Sequence, residues 1–401
     1  MSASRQTGSK SAGPVVGVGA GRGPYDNIRT ALSAVDLSFV AGKTVLIKPN
    51  VGRLAPPHSG INCSPEAVAA CVDAFKEAGA ARIAVGESPI QGVDVREAFE
   101  SAGVTRVVRE RSVELIDLDK DPPVSLKLRK GAIIPSVRVC RRVLEFEVVV
   151  SLAVMKTHMH TGVSLSLKNV KGMLYRRQKV EFHQLSGEGL ADGVRPLDVA
   201  ISDLVAVLRP HIGVIDGWIG LEGLGPSAGT PKKADLAVAS LDPVAADAVA
   251  CRLMGLDAGE IPHISLAAKK GAGVADLKKI RTVPADTKKL VCPFARPPTA
   301  LALAFPDVAI YEAGACSACL STAMLFIQRY KDRLKKYKLA DGKLHMVLGK
   351  DTANVPAGTI VIGNCAAKHK GKGPFAKGCP PVGSAIFKAV TGRYPDKPDE
   401  D

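Results

Sequence analysis

Aromatic residues are scarce in this chain: Phe, Trp and Tyr make up 4% of its 401 residues, and there is one Trp. Because the hydrophobic share is still 46%, Val, Ala and Leu must form most of the core. Apolar runs are short, and none reaches the ~18–20 residues that a membrane-spanning helix needs. Residues 1–13 contain no apolar segment of the kind found in secretory signals. We therefore expect a cytoplasmic globular protein without a membrane span.

Acidic residues are too few to balance the basic ones. Asp and Glu number 39 against 54 Lys and Arg, which gives a formal net charge of +15. Such an excess favours phosphates, carboxylates, nucleic acid or an acidic redox protein as partners. The basic stretches, such as residues 368–377, are short and accompany no helix-turn-helix, zinc-finger or RNA-recognition signature. We therefore expect an anionic small molecule or an acidic redox protein as partner, and no specific nucleic acid.

Apolar runs alternate with helical patterns along most of the chain, which predicts an α/β fold with a parallel sheet. A break with four prolines at residues 281–298 divides the chain. We predict an unstructured tail at 1–13, a main α/β domain at 14–285 and a smaller domain at 299–395. Predicted strands cover residues 14–19, 43–49, 81–85, 113–117, 148–154, 211–216, 236–241, 308–312, 345–348 and 359–362. Predicted helices cover residues 27–35, 65–78, 94–101, 197–208, 244–254, 321–337 and 382–391, and residues 122–144 can hold antiparallel strands.

The strand at residues 148–154 ends in a dense group of cations and hydroxyls. Ligands of open parallel sheets bind outside the carboxyl ends of strands, so this group predicts a site for an anion. We expect Lys156, His158 and Lys168 to be catalytic, and His160 and Asn169 to bind substrate. Either histidine could also ligate a metal or carry a proton near neutral pH. The alternative is a solvated loop that leads into an amphipathic helix.

Two other strand ends carry candidate residues. Lys48 and Asn50 follow the strand at 43–49 and are predicted to bind substrate, although Lys48 could simply snorkel to water. Asp216 is predicted to be catalytic and Glu222 to bind substrate, in a glycine-rich loop that also holds the Trp. The alternative for Asp216 is the cap of a turn. Residues 174–190 are rich in Arg, Lys, Gln and His and are expected to form a flexible cationic lid.

Glycines punctuate a turn near the N-terminus, at residues 17, 19, 21 and 23. They do not meet the G-x-G-x-x-G spacing of a phosphate loop, so we expect a plain glycine-rich turn.

Four cysteines in the last ninety residues are predicted to ligate metal. Cys316 and Cys319 form C-S-A-C, Cys365 lies in G-N-C, and Cys379 lies in G-C-P-P before the last predicted helix. All four are expected in loops, which parallel topology could bring together. Converging thiolates suit a [4Fe–4S] cluster or a structural zinc ion, and a proline after the last ligand is common in cluster loops. Unligated thiols are the third possibility.

The strings VLIKPN, SPEAVAACVDAFKEAGAARIAVGES, VMKTHMHTGVSLSLKNVKGML, DGWIGLEGLGPSAGTP and SLDPVAADAVACRLMG resemble the family called domain of unknown function 362, over residues 15–279. That family is often fused to, or encoded with, iron–sulfur modules. The resemblance implies an α/β domain with a site around the K-T-H and L-K-N segments, and it does not supply a reaction.

The four-cysteine pattern is similar to the cluster-binding pattern of hydrogenase small subunits and of the matching quinone oxidoreductase subunit. This resemblance implies a flavodoxin-like domain in which the four cysteines hold a [4Fe–4S] cluster. Between Cys365 and Cys379 this chain has five basic residues where that family has a more glycine-rich stretch.

These features together predict an iron–sulfur redox protein that moves electrons between the cluster and an anionic substrate or partner at the Lys156, His158 and Lys168 strand end. One alternative is a non-redox enzyme, such as an isomerase or ligase, with a structural cluster, for which nickel-dependent lactate racemase is a distant analogy. Another alternative is an assembly protein for a metal cofactor.

Overall fold

The computed structural model describes residues 13–185, 190–298 and 301–395. The predicted tail, apart from Gly13, lies outside the described residues. The strands are β1 (Val15–Ala20), β2 (Thr44–Pro49), β3 (Arg82–Glu87), β4 (Glu114–Asp117), β5 (Val124–Lys127), β6 (Ser136–Val139), β7 (Val148–His158), β8 (Gly162–Ser164), β9 (Ile212–Glu222), β10 (Thr230–Ser240), β11 (Arg281–Val283), β12 (Val308–Tyr311), β13 (Leu344–Val347), β14 (Ile360–Ile362) and β15 (Phe375–Ala376).

The helices flank these strands on both sides of the chain's proline-rich break. They are α1 (Gly23–Ser33), α2 (Pro65–Glu77), α3 (Val95–Ser101), α4 (Val104–Glu110), α5 (Ser166–Asn169), α6 (Gln178–Glu181), α7 (Pro196–Val207), α8 (Pro243–Leu253), α9 (Pro262–Lys269), α10 (Leu301–Ala304), α11 (Ser317–Tyr330) and α12 (Gly383–Thr391). The structure thus confirms a mixed α/β protein with two separate main sheets.

The larger sheet is mostly parallel. Its strand order is β11-β1-β10-β9-β7-β2-β3-β4, and β8 pairs with β7 as a hairpin. The pairs of β2 with β3 and β7, of β3 with β4, and of β7 with β9 are parallel, as predicted. The predicted parallel sheet is confirmed as a mostly parallel one, with the exception that β10 runs antiparallel to both β1 and β9. A short connection from β9 returns the chain directly into β10, which only an antiparallel pair allows.

The smaller sheet contains four parallel strands among the described residues, in the order β12-β13-β14-β15. Helix α11 follows β12 and packs against α12. The flavodoxin-like fold of this smaller part stays a prediction. The antiparallel pieces expected at 122–144 are confirmed as the pair β5 and β6.

The large sheet is covered on both faces. One apolar cluster contains Val16, Val238 and the α8 residues, and the other contains Val45, Val150 and the α2 residues. Strand β7 is buried along its whole length. Its β-branched run explains the first half, and pairing with β8 and β9 continues the strand through Lys156 and His158. The prediction that the strand ends at Val154 is therefore too short by four residues.

The glycines of the first strand serve packing. A Cβ at Gly17 would lie 1.9 Å from the carbonyl oxygen of Ala31 in α1, so the strand and the helix can approach this closely only without a side chain. The predicted glycine-rich turn is therefore shorter than expected, because Gly17 and Gly19 lie in β1 and only Gly21 and Gly23 follow the strand.

Among the residues that the structure describes, no helix has both the length and the apolar character required to cross a bilayer.

Candidate functional site

A cavity of about 600 Å³ lies where the carboxyl ends of β2, β3 and β7 face helix α11 and the loop before α12. Its wall therefore combines residues of the large sheet with residues from beyond the proline-rich break. Leu325 and Phe326 of α11 form an apolar side. The position agrees with the prediction that the site lies at strand ends of the larger sheet.

The cavity wall is strongly cationic. Within the described residues, eight basic side chains line it against one carboxylate, that of Glu87. They are Lys48, Arg53, Lys156, Lys168, Lys171, Arg177, Lys179 and Arg329. Whether each charge can act on a ligand depends on the partner it already has.

Lys48 has a complete set of protein partners. Its Nζ lies 2.8 Å from Oε2 of Glu87 and donates to Oδ1 of Asn169 at 2.6 Å, and both ionic groups are buried. Asn169 is fixed in turn, because its Nδ2 donates to the carbonyl oxygens of Lys48 and Leu152. The predicted substrate-binding residues Lys48 and Asn169 do line the cavity, but they form an internal scaffold there.

Lys156 has a different environment. Its Nζ donates to Oδ1 of Asn50 at 2.7 Å and to the carbonyl oxygen of Ile61, and both acceptors are uncharged. No carboxylate within the described residues pairs with it. Burial lowers the pKa of Lys156 to about 7. Cys63 opposes this decrease, and the charges of Lys168, Arg53 and Lys48, each with a smaller effect than Cys63, add to it.

Lys168 and Arg53 likewise lack a carboxylate partner among the described residues, as do Lys171 and Arg177, which donate to backbone carbonyl oxygens. Burial lowers the pKa of Lys168 to about 8, Asp198 opposes this effect, and Arg53 and Lys48 add to it. Burial also lowers the pKa of Arg53 to about 10, with a contribution from Arg329. Lys156, Lys168 and Arg53 are therefore among the cations on which an anion in the cavity would act.

The two predicted histidines have separate positions. Nδ1 of His158 accepts from the backbone N–H of His160, so the neutral His158 ring carries its hydrogen on Nε2, and this residue lines the cavity. Burial holds the pKa of His158 well below its usual range. His160 is not part of the cavity wall. It contacts Arg195 through Nδ1 and Ser321 of α11 through Nε2, both at 2.9 Å, so it connects the large sheet to α11.

The predicted carboxylates lie away from the cavity. Asp216 is buried and accepts from the backbone N–H and the hydroxyl of Ser64, both at 2.8 Å, at the start of α2. Glu222 accepts from Lys232 and from the backbone N–H of Ala295. In this geometry neither carboxylate reaches a molecule in the cavity, and the alternative prediction for Asp216, a capping role, describes its contacts.

The described part of the predicted lid, residues 174–185 and 190, contributes side chains to the cavity wall. Gln178 and Lys179 are buried, and Nζ of Lys179 donates to Ser88 and lies 3.0 Å from Oδ2 of Asp119. Residues 186–189 of that segment lie outside the described residues. Sequence reasoning missed Glu87, Arg53 and Lys179 as cavity residues. Glu87 ends β3 and Arg53 lies shortly after β2, so the rule that ligands bind at strand ends could have found both.

The four predicted metal-ligating cysteines converge. The neighbouring Cys316 thiol raises the pKa of Cys319 most, followed by burial and by the charges that Cys379 and Cys365 would carry. Cys316, Cys365 and Cys379 thus each lie within electrostatic range of Cys319. The prediction that all four lie in loops is wrong, because Cys319 lies in the first turn of α11 and Cys365 in a 3₁₀ helix at Asn364–Lys372.

Cys379 connects this thiol group with the cavity. It lines the cavity, and its Sγ accepts from Nε2 of Gln184 at 3.1 Å. Arg177 and Gln184 also donate to the Cys379 carbonyl oxygen, each at 3.2 Å. In the described parts of the chain, no set of three or more His, Cys, Asp or Glu side chains is arranged so that it could hold a metal ion.

A model of the family described as "Domain of unknown function (DUF362)" matches residues 45–252, which is more than half of the chain. The chain belongs to the DUF362 family. The matched region contains Lys48, Lys156 and Lys168 and ends well before the four cysteines. The predicted family resemblance is confirmed, and the cluster-binding resemblance of the last ninety residues stays a prediction.

This DUF362 protein is similar to several named proteins, and none of these similarities identifies a reaction for this chain. A curated relative, the "Thylakoid-associated protein sll1697" of Synechocystis, is 28% identical over 239 residues, 57% of this chain and 68% of that protein. Among solved structures, the lactate racemase apoprotein of Thermoanaerobacterium thermosaccharolyticum has a TM-score of 0.41 at 13% identity, with coverage of 62% of this chain and 57% of that one. A Thermotoga maritima protein has a TM-score of 0.36 at 12% identity, with coverage of 62% and 60%. This chain spans less than two thirds of either structure.

Proposed function

We propose that this protein is an iron–sulfur redox protein. In this proposal residues 299–395 form a flavodoxin-like domain in which Cys316, Cys319, Cys365 and Cys379 hold a [4Fe–4S] cluster. Electrons pass between that cluster and an anionic substrate in the cavity at the Lys156, His158 and Lys168 strand end. The proposal depends on one observation: Cys379 lies within electrostatic range of Cys319 and also lines the cavity.

The donor set fits an iron–sulfur cluster. Cys316, Cys365 and Cys379 lie within electrostatic range of Cys319, and thiolates are the ligands that such clusters take. The backbone also leaves space beside them. Gly363 has φ +84°, and a Cβ there would lie 3.3 Å from Sγ of Cys319. Gln184 provides a hydrogen bond to the sulfur of Cys379, of the kind that tunes reduction potentials.

The cavity residues have roles that follow from their charges. A bound [4Fe–4S] cluster supplies or accepts single electrons. Arg53 and Lys168 hold the substrate anion, because neither has a carboxylate partner among the described residues. The Lys48–Glu87 pair fixes the wall beneath them.

Proton transfer falls to a lysine rather than to His158. The low pKa of His158 keeps that ring neutral at pH 7, so it offers only an Nε2–H hydrogen bond. The Lys168 ammonium, with a pKa of about 8, is charged at pH 7 and still able to release a proton. We therefore assign the proton to Lys168 and orientation of the substrate to His158.

An acidic redox protein is the proposed electron donor or acceptor. Cys365 is exposed, and Lys368, Lys370, Lys372 and Lys377 near it in sequence are exposed as well. Residues 352–395 contain no Asp or Glu. Such a surface attracts an acidic partner to the side of the thiol group that Cys365 occupies.

The first experiment tests the cluster. Protein purified without oxygen is expected to be brown, with broad absorption near 400 nm and with iron and sulfide in roughly equal amounts, as a [4Fe–4S] composition requires. Cys365→Ser removes an exposed thiolate without opening a core and is expected to lower iron content and absorbance. Cys292→Ser, at a half-buried cysteine outside the thiol group, is the matched control. A colourless protein with stoichiometric zinc would contradict the proposal.

The second experiment tests whether the cavity lies beside the cluster. Pyrophosphate, used as an anionic probe, is expected to change the electron paramagnetic resonance spectrum of the reduced protein. Lys168→Met should weaken that response, while the exposed control Lys288→Met should not. A spectrum that pyrophosphate leaves unchanged, although calorimetry shows that pyrophosphate binds, would favour the alternative of a structural cluster in a non-redox enzyme.

A further inference from the structure

Lys156 is a candidate residue whose contacts suit covalent chemistry. It is 3% exposed and lines the cavity. Its two hydrogen-bond acceptors, Oδ1 of Asn50 and the carbonyl oxygen of Ile61, are neutral. By contrast, Lys48 and Lys179 on the same wall each contact a carboxylate, that of Glu87 and that of Asp119. A carboxylate stabilises the ammonium form, and a neutral acceptor can equally receive a hydrogen from a neutral amine.

The geometry of a neutral amine fits these contacts. An –NH₂ group has two hydrogens and one lone pair. If both hydrogens go to Asn50 and Ile61, the lone pair takes the remaining tetrahedral direction. Asn50 and Ile61 line the cavity together with Lys156, so the amine lies at the wall that a molecule in the cavity would contact.

The charged surroundings favour the neutral form. Lys168, Arg53 and Lys48 all raise the cost of a positive charge on Lys156, and burial raises it further. A lysine that is desolvated or lies beside another cation is an activated nucleophile. Cys63 is the group that opposes this trend. With a pKa of about 7, about half of the Lys156 side chains are neutral at neutral pH.

We propose that Lys156 is a nucleophilic amine that forms a Schiff base with a 2-oxo acid in the cavity. Its lone pair attacks the carbonyl carbon, the C–N bond forms, and the carbonyl π electrons move to oxygen, which takes a proton. Loss of water from the resulting carbinolamine gives the imine. The step needs no oxidant or reductant.

The neighbouring side chains identify the substrate class. A carboxylate next to the reacting carbonyl would meet Arg53 and Lys168, which have no carboxylate partner among the described residues. Lys168 can exchange the proton that the addition and the loss of water require. Leu325 and Phe326 offer an apolar surface to the rest of the molecule, so a 2-oxo acid with an apolar chain fits better than a short one.

The experiment is reductive trapping. The protein is incubated with phenylpyruvate or pyruvate and sodium cyanoborohydride between pH 6 and 9, and the labelled peptide is mapped by mass spectrometry. We expect a single label on Lys156 at pH 7, with a yield roughly tenfold above that of any exposed lysine, because ordinary lysines are almost entirely protonated there. Phenylpyruvate should label faster than pyruvate. Mapping in the unaltered protein needs no variant to fold.

Two variants separate nucleophilic attack from a structural role. Lys156→Arg should abolish the label, and circular dichroism checks its fold. Lys168→Met removes a neighbouring cation, so the pH midpoint of labelling at Lys156 should rise. A label spread over exposed lysines, or no label with either acid over the whole pH range, overturns the proposal. It stands or falls separately from the cluster, because trapping requires no electron transfer.

Discussion

At the scale of single residues, two buried lysines on one cavity wall show how partners determine chemistry. Lys48 and Lys156 both stand at strand ends and both are nearly inaccessible to solvent. Glu87 neutralises the first, whereas the hydrogen-bond acceptors of the second are neutral and Lys168, Arg53 and Lys48 lie near it. Lys48 is therefore structural, whereas Lys156 has a lowered pKa and is available for chemistry in the cavity.

The Lys48–Glu87 pair should be essential for stability. Glu87→Gln leaves Lys48 charged in a buried position and weakens the hydrogen bond from the backbone N–H of Val51 to Oε2. We expect a decrease of about 3–5 kcal/mol in the free energy of unfolding, measured by denaturant titration. Glu110→Gln breaks an exposed pair with Arg106 and should cost less than about 0.5 kcal/mol. Equal effects of the two substitutions would show that the buried pair contributes no more to stability than the exposed one.

Lys156 should make stability depend on pH. Its pKa of about 7 in the folded protein lies below that of an unfolded lysine, so between these values the unfolded chain binds more protons. The free energy of unfolding should therefore rise with pH from about 7 to 10, by at most about 1.4 kcal/mol per unit from this group. Lys156→Met should lack this part of the slope, which chemical denaturation at several pH values measures. The exposed control Lys288→Met should keep it, and identical slopes in wild type and Lys156→Met would refute the assignment.

At the scale of secondary-structure elements, neighbours decide where polar segments fold. The apolar run of β7 was recognisable, but its extension through Lys156 and His158 depends on pairing with β8 and β9. Because side chains alternate along a strand, residues 156 and 158 point to the same face, and both line the cavity. A loop at these positions would not fix the two side chains relative to each other.

The turn before the 3₁₀ helix at Asn364–Lys372 should control cluster binding. Gly363 has φ +84° and ψ 160°, a region essentially restricted to glycine, and a Cβ there would press on Sγ of Cys319. Gly363→Ala should lower the iron content and the absorbance near 400 nm of anaerobically purified protein.

Gly371→Ala is the matched control in the same 3₁₀ helix, since a Cβ there meets no atom within 4 Å. Full iron content in the Gly363→Ala protein, or equal losses in both proteins, would show that this turn does not shape the thiol group.

At the scale of the whole molecule, the charge distribution should determine partner recognition. The surface with Lys368 and Lys370 lies in a segment without acidic residues. The double substitution Lys368→Glu and Lys370→Glu should slow reduction by an acidic ferredoxin at low salt by roughly tenfold or more. The effect should shrink as ionic strength rises, which stopped-flow absorbance measures.

The control carries the same change of charge elsewhere. Lys288 and Lys289 are exposed on the larger part of the chain, and substitution of both by Glu alters the net charge equally. If this control slows the reaction as much as the first variant does, total charge rather than the surface near Cys365 determines the rate.

The sequence by itself predicted the elements with strong patterns. Short apolar runs between glycines and prolines identified most strands. The predicted helix at 65–78 begins correctly at Pro65, where the side chain of Ser64 accepts from the N–H of Ala67. Local chemistry also pointed to the ends of β2 and β7, because Lys156 and His158 follow directly after apolar residues. These features depend on neighbours within a few positions, which is the range over which a sequence pattern is informative.

Only the tertiary structure decided which charges meet. Asp216 caps α2 through Ser64, which is 152 positions away, and Glu87 neutralises Lys48 across 39 positions. The antiparallel direction of β10 likewise depends on its pairing with β1 and β9. Contacts between distant segments are set by how whole elements pack. That packing assigned Lys48 to the scaffold, left Lys156 without a carboxylate partner among the described residues and placed Cys379 in the cavity wall.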